Sequence, residues 1–449
     1  MLRSARSRTL AALAVLAGLA VPALRAQRTG YTPGEFVRRR AALMDQVKDG
    51  AIILFGDASV PPGTHFRQDN DFFYFTGNED LGGIVVMVPF GRPGAYLFLP
   101  QRSAREIQYD GPGLLEDAAA RTKAGFVDVL AVGDLDEFLA RLAGRGAGKL
   151  YVRLSPRDTL DDARSETALM DGRRARSHYN DQLSIDQDRI EKLRRRYPQM
   201  ELRDVAPAID ALRAIKTPEE IVIMRRNGAL SAAAVRQAML ATRPGVLEYE
   251  VEAAAMAVVL KGGAKGAAYA PIVGSGPNSC ILHYEKNDRR VAEGDVVLMD
   301  FGADLDHLAM DITRTWPASG RFSPDQREAY RTVLEVEKAC LEAYRPGATP
   351  QDVRDHVAAV MKAKGLDLRG QLGGFGHGVG LAVHDVPFGG VLKEGMVFAI
   401  EPALYYPEKG FGIRIEDTVL ITGTGCEVLT AGVPKEIDEV EKLLAGRGR

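Results

Sequence analysis

The sequence predicts two domains in series, an α/β domain followed by an α+β domain with an internal pseudo-two-fold repeat. Three observations carry the prediction. At 449 residues the chain exceeds what one ordinary core organises, so two domains are expected. From Tyr31 to Tyr197 short apolar runs alternate with helical stretches, as an α/β unit requires. Beyond them, Glu293-Gly-Asp-Val-Val-Leu-Met-Asp300 is echoed by Glu394-Gly-Met-Val-Phe-Ala-Ile-Glu401, and each run closes an apolar strand with a carboxylate. The divisions that follow are a leader at 1–26, a first domain at 27–197, a connector at 198–207 and a second domain at 208–449.

The leader has the form of a secretory signal. Arg3, Arg6 and Arg8 make a basic start, Leu10 to Ala20 an apolar middle, and Leu24-Arg25-Ala26 or Val21-Pro22-Ala23 a small-residue cleavage site. A secreted or periplasmic location is therefore expected. The apolar run is shorter than the ~20 residues of a spanning helix, so no stable membrane insertion is expected after cleavage. Losing Arg3, Arg6, Arg8 and Arg25 takes the net charge from −2 to −6, which implies no general attraction to nucleic acid or anionic membrane. A hydrophobic fraction of 46% with 26% charged residues fits a soluble globular protein. Cys280, Cys340 and Cys426 are too few and too scattered for a disulfide framework or zinc knuckle, and read as small buried apolar residues.

In the first domain Ala51 to Phe55, Phe72 to Phe75, Ile84 to Pro89 and Ala95 to Leu99 read as strands bounded by Gly, Pro and Asp. Glu35 to Val47 and Leu135 to Leu142 read as helices, and Arg194-Arg195-Arg196 as the solvated end of another. The second domain carries a repeated start signal. Thr217-Pro218-Glu219-Glu220, Ser323-Pro324-Asp325-Gln326 and Thr349-Pro350-Gln351-Asp352 each place a capping hydroxyl, a proline and an acid or amide at the right offsets. Gly365 is a suitable C-cap for the last of these helices. The order is helix, helix, strands, helix, helix, strands, one αβ unit used twice. Short connections make its strands antiparallel.

The chemistry lies at the strand ends. Asp300 and Asp311 are 11 residues apart, which suits two strands of a hairpin whose inward faces bring both carboxylates to one point. A carboxylate ending a buried strand is costly unless it neutralises, pairs or binds metal. Glu401 poses the same problem, and Glu416 shares a strand face with Arg414 two residues earlier. The segment Gly373-Gly-Phe-Gly-His377-Gly-Val-Gly presents a histidine on backbone that can approach closely, and His384 follows. His283 precedes Asp300, and His384 precedes Glu401, by the same 17 residues. Four acids and three of the seven histidines thus gather beside apolar strands, whereas His65, His178, His307 and His356 read as ordinary surface residues. No zinc helix, serine elbow or phosphate loop is present. Carboxylate-rich ligation with one histidine favours manganese, cobalt or iron over a thiolate-type zinc site, with zinc still compatible. Two such divalent ions, bridged by carboxylates and a water, make a hydroxide available near neutral pH.

Six segments carry a resemblance to a known family: the run from Ile272 to Tyr284 containing His283, Met-Asp300-Phe-Gly, Asp311-Ile-Thr-Arg-Thr-Trp-Pro, Gly-His377-Gly-Val-Gly-Leu-Ala-Val-His384-Asp, Glu401-Pro-Ala-Leu-Tyr and Gly-Ile-Arg414-Ile-Glu416-Asp. The chain resembles the pita-bread metallopeptidases, aminopeptidase P first and prolidase next. Glu35-Phe-Val-Arg-Arg-Arg and the stretch Phe66 to Gly77 extend the resemblance to the first domain.

The resemblance implies five metal ligands, Asp300, Asp311, His377, Glu401 and Glu416. Asp311 and Glu416 would bridge two ions, manganese foremost. Asp300 would serve one ion, His377 and Glu401 the other. Glu401 would also carry a proton to the leaving nitrogen. His283 and His384 would stabilise the scissile carbonyl oxygen, and Arg414 would orient the ligands and substrate. The implied partners are proline-containing peptides, and the implied assembly a homo-oligomer, dimer or tetramer. An Xaa-Pro dipeptidase, a non-catalytic binding protein of the same fold and a metal-free creatinase-type hydrolase are the alternatives. Three features depart from the family: Gly373 stands where relatives carry histidine, the loop Val386 to Gly395 is short and lacks arginine, and Tyr406 to Gly412 is short.

Overall fold

A computed structural model describes residues 30–60, 65–179, 181–365 and 376–446. The expected leader at 1–26 lies outside them. The first domain is built on a six-stranded sheet: β1 (Ala51–Phe55), β2 (Ile84–Val88), β3 (Gly94–Leu99), β4 (Asp128–Ala131), β5 (Lys149–Val152) and β6 (Glu201–Asp204), in the order β4-β3-β2-β1-β5-β6. Strands β1, β2 and β3 pair antiparallel, and the β3–β4, β1–β5 and β5–β6 pairs are parallel. Around it lie α1 (Pro33–Gln46), α2 (Asn70–Thr76), α3 (Ala104–Asp110), α4 (Ala118–Arg121), α5 (Leu135–Gly144), α6 (Arg164–Ala175) and α7 (Ile185–Arg196), and α8 (Ala206–Ala214) leads out of it.

Four expectations are corrected here. Phe72 to Phe75, expected as a strand, lies in α2. Aromatic side chains favour strands, but local chemistry outweighs that preference. Asp69 accepts a hydrogen bond from the Phe72 amide at 3.0 Å, and Gly77, at φ +60°, stops the helix. Its last carbonyls are taken by the guanidinium groups of Arg39 on Tyr74 and Arg40 on Phe75. The connector at 198–207 contains β6, which pairs with β5 as the sheet's edge, so this stretch belongs to the first domain's architecture. Cys340 is buried, but Cys280 and Cys426 are only half-buried. His307, expected at the surface, is buried and stacks on Phe73 with ring centroids 3.5 Å apart. The polar residues around it in sequence gave the wrong impression because they form a tight turn, with Asp306 and His307 both at positive φ.

The second domain follows the expected order. Helices α9 (Pro218–Ala241) and α10 (Glu248–Lys261) precede β7 (Gly266–Ala267), β8 (Ile272–Ser275), β9 (Val296–Asp300), β10 (Ala303–Asp304) and β11 (Thr313–Pro317). Helices α11 (Pro324–Ala343) and α12 (Pro350–Ala363) then precede β12 (Val397–Ile400), β13 (Ala403–Tyr406), β14 (Phe411–Arg414), β15 (Asp417–Ile421) and β16 (Cys426–Val428), and α13 (Ile437–Ala445) closes the chain. The capping boxes at Thr217, Ser323 and Thr349 form as their sequences require. All described strand pairs of this domain are antiparallel. Each half contributes a three-stranded sheet, β11-β9-β8 and β12-β15-β16.

A buried ionic web joins the domains. Arg213, at the end of α8, donates to Asp71 at 2.7 Å, to Asp158 at 2.6 Å and to Asp385 at 2.6 Å. Lys216 donates to the other oxygen of Asp385 at 2.8 Å. Arg153 and Arg164 complete the surroundings of Asp71. Burial opposes ionisation of Asp385, but Lys216 and Arg213 hold its carboxyl down at about 2.

Replacing Arg213 by Met should leave these aspartates buried and underpaired, at a cost of about 3–5 kcal/mol, read as a lower urea midpoint. A pH effect is expected at His307, which burial pushes down to about 4 from 6.5. Between those values the unfolded chain takes up a proton that the folded one refuses. Stability from this residue is therefore complete above 6.5 and lost as pH falls towards the folded value, on the order of 3 kcal/mol. The variant H307N, with a side chain tolerant of the left-handed turn, should lose less stability than the parent between about pH 7 and pH 4.5 in urea titrations.

Candidate metal centre

Strand pairing brings the acids together. In the β9–β11 pair Thr313 lies opposite Asp300, so Asp311, just before β11, comes back alongside Asp300. The hydroxyl of Tyr269 is 2.5 Å from Oδ1 of both. It has one proton for two carboxylates. In the other half β12 runs into Glu401, and its pairing with β15 places Ile400 opposite Asp417. The two halves are stitched by the Glu416 amide donating to the Thr313 carbonyl at 3.0 Å and the Thr418 hydroxyl to the Asp311 carbonyl at 2.6 Å.

Arg414 and Glu416 meet on the face expected for residues two apart. The Thr313 hydroxyl donates to Glu416 at 2.7 Å and accepts from Arg414 Nε at 3.0 Å. The guanidinium also donates to Asp300 at 2.6 Å and to the Tyr405 hydroxyl at 3.0 Å. His377 enters from the glycine-rich segment. A Cβ on Gly376 would stand 1.5 Å from the Ala399 carbonyl oxygen, so only glycine lets this backbone lie against β12. His377 Nδ1 donates to the Val383 carbonyl at 3.1 Å, which leaves Nε2 towards the acids, 3.5 Å from Asp311 and 3.4 Å from Glu401.

The electrostatics are those of a site short of positive charge. Burial, then the neighbouring Asp300, hold Asp311 well above the usual carboxylate range. Burial, then Asp311, do the same to Glu416. Glu401 is held below its ordinary value because the bond and charge of His377 outweigh its burial. His377 is correspondingly raised to about 9 against its own burial. Asp311, His377 and Glu416 each offer a ligand atom within 4.8 Å of the others. Oxygen-rich donors, one imidazole nitrogen and excess buried negative charge fit divalent cations.

A cavity of about 300 Å³ opens onto this centre. Asp300, Asp311, His377, Glu401 and Arg414 face it, whereas Glu416 is buried behind them. His283 stands exposed on its wall and His384 beside it, the latter ring 4.2 Å from that of His377. Every site residue expected from the sequence is thus in or directly behind one pocket. Position 373 lies outside the described residues. Tyr269, Thr313 and Tyr405 escaped the sequence reading. The alternation of hydroxyls at Thr313 and Thr315 along a buried strand could have exposed the second; an isolated tyrosine between two strands offered no periodic signal.

Comparison with known proteins agrees with this geometry. Residues 222–423 match metallopeptidase family M24 and residues 36–151 match the aminopeptidase P N-terminal domain. The chain is 35% identical to the Xaa-Pro aminopeptidase of Escherichia coli, covering 91% of this chain and 97% of that protein. It is 30% identical to the mitochondrial intermediate cleaving peptidase 55 of Arabidopsis thaliana, over 92% of this chain and 84% of that protein. The structure superposes on aminopeptidase P from E. coli bearing the inhibitor Pro-Leu with a TM-score of 0.77 and 32% identity, covering 93% of this chain and 99% of that one.

Neutralising one acid tests the charge argument. Asp311→Asn or Glu416→Gln should fold and melt no lower than the parent in chelator, since burial already disfavours the ionised form at both positions. Each should lose the stabilisation that an added divalent cation is expected to give the parent, about 2.7 kcal/mol at a hundredfold excess over Kd, read as a rise in melting temperature.

Proposed function

We propose that this chain, which belongs to the Xaa-Pro aminopeptidases of metallopeptidase family M24, hydrolyses the bond between a peptide's first residue and a following proline. The observation that carries the proposal is the meeting of Asp300, Asp311, His377 and Glu401 at the floor of one open cavity, with Glu416 buried behind them beside Asp311 and His377. When bound there, a pair of divalent ions, manganese by our reading of the donor set, would supply a nucleophile at neutral pH and polarise the scissile carbonyl.

The chain's own groups set the rest. Asp311 lies between Asp300 and His377, and Glu416 behind them, which supports their bridging role; Asp300 would serve one ion and His377 with Glu401 the other. Glu401 is the least buried of the acids, with 37% of its side chain exposed, and is held ionised by His377. It is placed to accept a proton at its carboxylate and return it to the leaving nitrogen. That return is needed because a proline nitrogen in a peptide bond has no proton of its own and departs as a secondary amine. His283 and His384 line the wall where the carbonyl oxygen would lie. Arg414 keeps Asp300 and, through Thr313, Glu416 in place.

The test offers Xaa-Pro and Xaa-Pro-Xaa peptides side by side, each with manganese, cobalt and zinc. Release of the first residue from the tripeptide, fastest with manganese, is expected. Cleavage of the dipeptide alone would reassign the chain to the dipeptidases. No hydrolysis and no metal uptake would leave a binding protein.

A further inference from the structure

The loop that carries His384 is held residue by residue, by the first domain at Val383 and His384 and through Arg213 and Lys216 at Asp385. The Val383 amide donates to the Leu160 carbonyl at 2.8 Å. Asp385 is clamped by Arg213 and Lys216, and Arg213 in turn holds Asp71 and Asp158 of the first domain. Between them, His384 Nδ1 lies 3.2 Å from Oε2 of Glu166. An ionised carboxylate only accepts, so Nδ1 carries the proton and Nε2 is the ring nitrogen left for the cavity.

Glu166 is itself fixed. It is the third residue of α6, and the same Oε2 accepts from the Ala163 amide at 2.7 Å in the capping arrangement at that helix start. The backbone on both sides of His384 is pinned by Leu160 and Arg213, so what remains to be set is the rotation of the ring. Glu166 is the group that bonds the ring. On the other side the His377 ring packs edge-on at 4.2 Å, and it is held by its own bond to the Val383 carbonyl.

We propose that Glu166, in the first domain, is a positioning residue for the reaction, acting through His384 to aim its Nε2 at the substrate carbonyl. The proposal rests on the peptidase reading for its catalytic consequence but not for its geometry. No feature of the second domain's motifs contains it.

Two measurements test it. In the first, E166A, H384A and the double variant are assayed on an Xaa-Pro-Xaa peptide with manganese, beside E166Q. Glutamine keeps an acceptor for the Ala163 amide and so preserves the helix start. E166A is expected to lower kcat about 10- to 100-fold with KM little changed, E166Q less, and E166A is expected to cost nothing further once His384 is absent. Equal losses in the parent and H384A backgrounds would overturn the proposal, since a merely structural role for α6 adds to any other defect. In the second, 15N-histidine NMR of the metal-free protein follows the Nδ1 proton of His384. Its protected signal should be present in the parent and E166Q and lost in E166A; an unchanged signal in E166A would also overturn the proposal. Were the parent inactive on every peptide, the peptidase reading would fail while the NMR result still decided the contact.

Discussion

The structure depends on the pairing of Arg213 with three aspartates drawn from distant parts of the chain. A guanidinium buried to 1% exposure has lost its hydration, and only well-placed carboxylates replace it. Asp71 comes from α2, Asp158 from the turn after β5 and Asp385 from the loop beside the metal centre. Apolar packing, which also runs between the domains, is non-directional. A charge that must meet three fixed partners narrows the orientations further. The ionic web therefore adds less to stability than to orientation, and through orientation it defines the cavity wall.

Neighbouring residues along the chain sit in opposite electrostatic settings. Glu416 is pushed up by burial and by Asp311, whereas Asp417, next to it, is buried yet held low by Arg314 and Lys435. Alternation along an extended chain sends one carboxylate to the centre and the next to a cationic pocket. His384 and Asp385 divide in the same way, one facing the cavity and the other the Arg213 web. In each pair the paired acid anchors the backbone from which the reactive side chain projects. The centre can then keep an excess of negative charge without being pulled apart, because its strands are tied down by acids that are fully compensated.

Much of this was legible in the residues. The repeated cap signals located the long helices, the apolar strands ending in Asp300 and Glu401 located the centre, and the glycines before His377 announced close backbone contact. Failures came where tertiary partners decided. Phe72 to Phe75 has the composition of a strand but is capped and covered as a helix by Asp69, Arg39 and Arg40. His307 looked solvated among polar neighbours that the turn carries into an interdomain contact. Glu201 to Asp204 looked like a connector because an edge strand with mostly exposed side chains shows little hydrophobic pattern. Glu166, Arg213 and Asp385 could not be found by spacing at all, since the Arg213–Asp385 contact spans 172 residues and the Glu166–His384 contact 218.

That distance gives the grip on Val383 to Asp385 a meaning in time. A ribosome delivers the chain from its N-terminus, and domains fold broadly in that order. Leu160, Glu166 and Arg213 have emerged long before the loop they hold. The last wall of the cavity is thus contributed by a stretch of chain that emerges after the residues it packs against.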